Sequence, residues 1–186
     1  TFIILMGSID LSIDGVVTLA GIASVLTANA TRDMGFPGVI IPVLAGMGTG
    51  LLVGLINGIL QARLRLPSFL VTLGMSTICS GVGLITTNGT ALRALNNGYK
   101  QIATTTVWLF PVLWLIAAAF FIVGFLLSRR TLFGRYSYAI GGGERVAELC
   151  GIPIVKYKIL IFVFAGILSG LAGALTSSRL GAATNI

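Results

Sequence analysis

The chain has 186 residues, of which 56% are hydrophobic and 9% are charged, and its mean hydropathy is +1.03. An ordinary soluble domain carries about 25% charged residues, so this composition excludes one and indicates an integral membrane protein. The net charge of +7 does not indicate a nucleic-acid partner, because the basic residues stand at the ends of apolar runs, where they set membrane topology. The chain has no histidine and no GxxxxGK[ST] phosphate loop, so it offers neither the commonest metal ligand nor a nucleotide site of its own.

Five apolar runs are long enough to cross about 30 Å of hydrocarbon as helices, and a shorter run precedes them. The short run, Thr1–Gly7, is typical of the end of a further span. The full runs are Leu11–Ala30, Val39–Leu60, Pro67–Thr87, Val107–Ser128 and Ile159–Ser177. The sequence therefore predicts an all-α, polytopic transmembrane helical bundle with five full spans and a partial N-terminal one. We expect residues 1–186 to form a single transmembrane domain that is incomplete at both ends.

Two aspartates lie beside or inside the apolar layer, in the segment GSIDLSIDG from Gly7 to Gly15. A carboxylate there is costly, which favours a functional role. Helix capping is the stronger interpretation, because Asp10 or Ser12 can accept free N–H groups at a helix start and the helix dipole favours Asp14. Direct contact with a transported solute is the alternative.

The second full span contains four glycines at four-residue spacing, which in a helix lie along one face. Such a face lets a neighbouring backbone approach closely, and the last span repeats the pattern more weakly. The sequence therefore predicts helix packing through Gly46, Gly50, Gly54, Gly58, Gly166 and Gly170. A face that lines a translocation path or a dimer seam is the alternative.

The connections between spans carry unequal numbers of basic residues. Arg63 and Arg65 lie in one short loop, and six more lie in the segment 129–158. Two spans separate these regions, so both are predicted on one side, and the positive-inside bias makes that side cytoplasmic. The polar connection 87–107, predicted to contain one interfacial helical turn, lies on the opposite side with Arg32, Arg93 and Lys100.

The segment 129–158 contains a predicted short helix. Three glycines precede it in GGGERVAELCGIP, and Gly151 and Pro153 are stop signals that follow it. One of its faces is apolar and carries Val146, Leu149 and Cys150. An amphipathic helix on the bilayer surface and a peg that docks into a partner's cleft both fit this pattern.

Three separated motifs resemble the permease subunit of ribose/xylose-type ABC sugar importers. GSIDLSIDG is similar to the family's GGIDLSVGS, LVGLINGILQARLRLPSFLVTLG to its LxGxxNGxLxxxxxIPxFIVTLG, and residues 129–158 to its RRTxFGRYxYAxGGNxxAAxxSGIxVxxxK. The motifs occur in the family's order over essentially the whole chain. Asp14 departs from the pattern, since a glycine or another small residue is usual there, and Gly143 and Cys150 replace the usual Asn and Ser.

The resemblance implies that residues 129–158 form a cytoplasmic coupling loop within a single permease domain. A separate ATPase would act on this loop through Gly142, Glu144, Arg145, Val146, Ala147, Glu148, Leu149, Gly151 and Ile152. Within the family motifs, the candidates for the translocation path are Asp10, Ser12, Asn57 and Thr72.

The resemblance further implies a subunit that helps to import a ribose- or xylose-like monosaccharide across the bacterial inner membrane. It implies no catalytic residue, metal or cofactor in this chain, because ATP and Mg²⁺ would bind to the ATPase. The expected partners are that ATPase, an external sugar-binding protein, a second permease copy and membrane lipid, and no nucleic acid.

Three other functions stay open at this point. A related permease for branched-chain amino acids or nucleosides is the first, although the IDLS and TLG motifs favour sugars. An ion-coupled secondary transporter is the second, but such proteins usually bury paired coupling carboxylates, and the spans contain no acid besides Asp10 and Asp14. A membrane enzyme or passive scaffold is the third, and an enzyme would lack histidine, paired acids and a nucleophile–base arrangement.

Overall fold

The computed structural model describes residues 2–107 and 110–184, and helices dominate it. Five of the described helices are long and apolar enough to cross a membrane, namely α2 Ile13–Ala30, α3 Pro37–Arg63, α4 Ser68–Thr87, α6 Val112–Arg130 and α9 Ile154–Leu180. The prediction of an all-α bundle with five full spans is confirmed. α3 and α9, with 27 residues each, extend beyond the predicted spans because both continue as helix into their charged ends.

Shorter elements lie at the two ends of the bundle. They are the helices α1 Phe2–Leu5, α5 Asn97–Thr104, α7 Leu132–Gly142 and α8 Glu144–Leu149, and the strands β1 Leu92–Arg93, β2 Thr106–Val107, β3 Phe110–Pro111 and β4 Ala182–Ala183. The strands form two antiparallel pairs, β1 with β4 and β2 with β3. Thr1 of the predicted partial span, and Trp108 and Leu109 of the predicted fourth span, lie outside the described residues.

An antiparallel pair, α3 and α9, forms the centre of the bundle. A methyl group added at Gly50 or Gly54 would collide with a backbone carbonyl oxygen of α9, and one added at Gly58 would lie 2.9 Å from Ile159 Cα. Gly166 and Gly170 approach the α3 carbonyls in the same way. With Gly46, which lies against Gly170, all six glycines predicted for helix packing are in this contact, and we call it the glycine seam. Because no side chain separates the helices there, their backbones touch along much of their length.

The helix α2 packs across both members of this pair, and α4 packs along α2. Glycines again permit the close approach: an added Cβ at Gly21 would lie 3.3 Å from the Gly173 oxygen, and one at Gly15 would lie 2.6 Å from the Ser76 oxygen. By contrast, α6 buries none of its residues against the rest of the described chain. Its main contacts are with α5 and β3 before it and with α7 after it.

The connection 87–107 forms a cap over one end of the bundle. The prediction of a single helical turn there is wrong: α5 has eight residues, about two turns. Its start is capped by Asn96, whose side chain accepts the Tyr99 N–H, and its anchor is Tyr99, which is fully buried. The Tyr99 hydroxyl donates to the Ala174 carbonyl at 2.6 Å and lies 2.7 Å from Ser177 Oγ. Burial raises the pKa of this hydroxyl, so it stays protonated.

The opposite end of the bundle carries the segment 129–158. The helix α7 in it was not predicted, because the sequence indicated only the short helix after the three glycines in this segment. Aromatic packing explains the helix: the ring of Phe133 lies edge-on to Phe2 and Phe164, with centroids 5.1 and 5.9 Å away. Ile140, near the other end of α7, joins the same apolar cluster.

The basic loop residues lie at this same end. Arg65 lines one cavity together with Arg145 and Lys158, so the loop after α3 and the segment 129–158 are on one side of the bundle. Their assignment to the cytoplasm stays a prediction.

The glycine seam can be tested with a matched pair of substitutions in α3. We expect Gly54→Ala to lower the free energy of unfolding by about 1–3 kcal/mol, because its methyl group meets backbone that has no room to move. Gly48→Ala is the control, since nothing lies within 4 Å of an added Cβ there, and it should leave stability unchanged or slightly raised. Thermal unfolding of the purified full-length protein measures the difference, and equal melting temperatures would contradict the seam.

The topology can be tested with the native cysteines, because Cys150 is exposed and Cys79 is buried. An impermeant maleimide should modify Cys150 in inverted vesicles stripped of peripheral proteins and leave it unmodified in intact cells. Modification from outside intact cells would reverse the predicted orientation.

Candidate functional site

The segment between α1 and α2 interrupts helical structure within the bundle. Gly7, with φ +74°, ends the first helix, and α2 begins at Ile13. Three backbone N–H groups of the interruption are bound by side chains. Ile9 donates to Ser68 Oγ at 3.1 Å, Leu11 to Thr72 Oγ1 at 3.1 Å, and Ser12 to Asp10 Oδ1 at 2.8 Å. Unbonded N–H groups in hydrocarbon are strongly disfavoured, so these side chains make the interruption tolerable at membrane depth.

The four candidate path residues form one connected cluster around this break. Asn57 Nδ2 donates to Ser12 Oγ at 2.9 Å, and Ser12 Oγ donates to Asp10 Oδ1 at 2.6 Å. Thr72 is joined to the cluster through the Leu11 N–H. The chain of bonds therefore links α3 and α4 to the start of α2.

Burial separates the members of this cluster. Ser12, Asn57 and Thr72 are 2%, 1% and 0% exposed, so their side chains face the protein interior. Asp10 is half-buried and lines a mostly apolar cavity of about 300 Å³ between α1, α2 and α9. The first three residues thus fix the geometry of the break, and Asp10 alone among the four borders open space in the described structure.

The capping interpretation holds in part. α2 has no side-chain hydrogen bond at its N-cap residue, Ser12, whose hydroxyl is directed to Asp10 instead. Asp10 does accept a backbone N–H, that of Ser12 itself, one residue before the helix. Asp14 lies in the first turn of α2, where the dipole favours it, but its side chain is exposed.

Sequence reasoning missed Ser68, which holds Ile9 in the break. The available signal was its position directly after Pro67, where a helix starts and where a hydroxyl finds nearby unbonded N–H groups. Among the described residues, no group of three acidic, cysteine or histidine side chains is arranged to hold a metal ion.

A second candidate site is α8, in the segment 129–158. Ala147 is buried and fixes the helix to the bundle, whereas Val146 and Leu149 are 65% and 84% exposed. Lys158 Nζ lies 2.8 Å from Glu144 Oε2 and ties the start of α8 to α9. The helix is therefore held to the bundle by Ala147 and Glu144, and it exposes the apolar side chains of Val146 and Leu149.

A polar cavity of about 560 Å³ lies beside α8, against the loop after α3. Charged side chains of both signs line it, namely Arg65, Glu144, Arg145, Glu148 and Lys158. Arg65 has φ +53°, in the left-handed region that few residues other than glycine adopt. Gln61 also lines the cavity, and its buried Nε2 has no hydrogen-bond partner in the described part of the chain. The surface around α8 thus combines two exposed apolar side chains, Val146 and Leu149, with a neighbouring cavity lined by charges of both signs.

The remaining predicted residues of this segment frame α8. Gly142 and Gly151 are exposed at its two ends, and Gly151, with φ +78°, forms the left-handed turn that stops it. Ile152 is half-buried against the apolar cluster that contains Ile140 and Ala147. Arg145 and Glu148 are exposed.

Comparison with known proteins adds the relatives of this chain. Residues 1–186 match the family described as branched-chain amino acid transport system, permease component. The chain is 33% identical over 181 residues to the L-arabinose ABC transporter permease protein AraH of Azospirillum brasilense, covering 96% of this chain and 51% of that protein. It is 35% identical over 182 residues to the ribose import permease protein RbsC of Bacillus subtilis, covering 97% of this chain and 55% of that protein.

The chain thus spans about half the length of these curated relatives. No solved structure matches it. The predicted resemblance to sugar ABC permeases is confirmed by these matches, which cover nearly all of the chain. Together with five helices able to cross a membrane, they identify a multi-pass protein of the bacterial inner membrane, and the chain belongs to the family of permease components of branched-chain amino acid transport systems.

Proposed function

We propose that this chain is part of the transmembrane subunit of an ATP-driven importer that carries a monosaccharide of the pentose class. The names of its relatives, which are permeases for L-arabinose and ribose, support a sugar as the solute. The observation that carries the proposal within this chain is the exposed apolar pair on α8, Val146 and Leu149. Two large apolar side chains held out from a charged surface are typical of a contact with another protein.

The partner in this proposal is a separate ATPase that binds ATP and Mg²⁺, and α8 is the element it moves. The apolar pair would enter a pocket on the ATPase, and the surrounding charges, Arg145 and Glu148 among them, would form the polar rim. Displacement of α8 would act on α9, because Lys158 and the buried Ala147 tie the two helices. The glycine seam would then carry the movement to α3.

An external sugar-binding protein and a second copy of the permease complete the proposed assembly. In this scheme the permease chain has no catalytic residue and needs no cofactor of its own, since hydrolysis takes place on the ATPase. The description of the family favours a second solute, a branched-chain amino acid, and uptake measurements separate the two. We expect cells that express the full-length permease and its partners to take up labelled L-arabinose or D-ribose and not L-leucine.

Coupling through α8 predicts unequal effects of two neighbouring substitutions. Leu149→Asp should abolish ATPase binding and transport, because it places an unpaired charge in a desolvated pocket at a cost of a few kcal/mol. Glu148→Gln, at the rim, should weaken the contact by less than about 1 kcal/mol. Neither position lies in a span, so insertion into the membrane should be normal for both.

The measurement is copurification of the ATPase with each full-length variant, together with sugar uptake. A Leu149→Asp protein that binds the ATPase and transports normally would show that α8 is a surface helix without a coupling role.

A further inference from the structure

Asp14 is an ionisable side chain within the membrane layer, and the hydrogen bonds around the break do not include it. It lies 16 residues before the outer end of α2 at Ala30, a distance of about 24 Å along the helix. Its neighbour Gly15 contacts Ser76, eight residues into α4, or about 12 Å from that helix's inner end. Asp14 is therefore inside an apolar layer about 30 Å thick, in the half nearer its inner boundary.

The face that carries Asp14 is exposed, and no basic side chain within residues 2–107 and 110–184 forms an ion pair with it. The two ion pairs of the described residues join Arg32 to Asp33 and Lys158 to Glu144. A carboxylate without a cation is strongly disfavoured against lipid tails, so intramembrane acids almost always face water or another polar group. The exposed face of α2 at Asp14 is consequently not a lipid-facing surface.

A groove of about 210 Å³ runs along this face between α2 and α9. Gly21 and Gly173, which have no side chains, form part of its floor, and the chain after α9 closes its outer end at 182–184. Four hydroxyl-bearing residues line it with Asp14: Thr18, one turn further along α2, Thr176 and Ser177 on α9, and Thr184 after it. The Ser177 hydroxyl is already bonded to Ala174 and Tyr99, which leaves Thr18 and Thr176 as the hydroxyls of the two helices that face the groove. The volume corresponds to about seven molecules of liquid water, which suits one small polar solute.

The polar groups of this groove match a neutral polyhydroxyl compound. A carboxylate accepts hydrogen bonds at two oxygens and donates none, so it pairs with neighbouring hydroxyl donors, whereas threonine hydroxyls both donate and accept. We propose that the α2–α9 groove is part of the solute route and that Asp14, with Thr18 and Thr176, binds the hydroxyl groups of the passing sugar. This inference rests on the proposed function, since it names the part of the permease that the sugar contacts.

The proposed route does not include three of the four candidate path residues from the sequence motifs. Ser12, Asn57 and Thr72 are buried and hold the break, and the glycine seam is closed by backbone contact. The α2–α9 face instead borders two cavities in succession, one with Asp10 near the inner end and one with Asp14 beyond it.

The first test compares two aspartates in the full-length permease assembled with its partners. Asp14→Asn keeps the shape of the side chain and removes its charge, so the KM for L-arabinose or D-ribose uptake should rise on the order of tenfold or more. Asp33→Asn, in the exposed loop after α2, is the matched control and should change the KM less than about twofold. Membrane abundance and ATPase binding should be equal in all three proteins.

An unchanged KM in Asp14→Asn, with sugar uptake by the parent protein, would overturn the inference and leave the proposed function intact. Absence of uptake of either sugar by the parent would refute the proposed function instead. If Asp14→Asn fails to accumulate in membranes, Thr18→Val and Thr176→Val take its place, and unchanged uptake in both would overturn the inference.

The second test needs no transport. Thr18→Cys and Thr176→Cys, in a Cys150→Ser background, should react with an impermeant methanethiosulfonate reagent on the order of tenfold faster than Ile78→Cys. Ile78 is the control because it is exposed on α4 at a similar depth and has apolar surroundings. Added L-arabinose or D-ribose should slow the two groove reactions. Equal rates at all three positions would show that the groove contains no water and would overturn the inference.

Discussion

The direct contact between the backbones of α3 and α9 is the constraint on which the rest of the structure depends. Within a membrane, an apolar helix surface gains little free energy by leaving lipid for another helix, because the lipid tails are equally apolar. Helix association therefore depends on close packing. The six glycines of the seam supply that packing by bringing carbonyl oxygens of each helix against Cα atoms of the other. With these two helices fixed, α2 has one defined surface on which to pack, and the cap at one end and α8 at the other attach to the same rigid pair.

The interruption before α2 is the second feature that organises the molecule. An unwound segment at membrane depth requires donors and acceptors from its neighbours, and Ser68, Thr72 and Asn57 provide them. These bonds also hold the start of α4 and the inner half of α3 against α2. Because α2 begins only at Ile13, Asp10 lies just before the helix and Asp14 lies in its first turn, and each borders a cavity next to α9.

The spans, the seam glycines and α8 were predictable because their signals are local in sequence. Hydropathy and length define a span, four-residue spacing defines a helical face, and the glycines and proline around α8 mark its ends. α7 was not predictable in this way, since its support comes from Phe2 and Phe164, which are distant in sequence. The second turn of α5 depends likewise on Tyr99 reaching α9. For the candidate path residues, the motifs indicated side chains that the fold does bring together, but whether Ser12 or Asn57 faces inward depends on helix rotation, which a single sequence does not encode locally.

The isolation of α6 has a mechanical consequence for the segment 129–158. An apolar gap of about 560 Å³ separates the inner end of α6, at Leu127, from Val163 and Ile167 of α9. The segment is therefore packed unequally on its two sides: Ala147 and the Lys158–Glu144 ion pair hold it to the bundle and to α9, whereas α6 buries none of its residues against the described chain. A shift of α8 would therefore reach α9 directly through these contacts, whereas it could reach α6 only through the chain connection at Arg130 and α7.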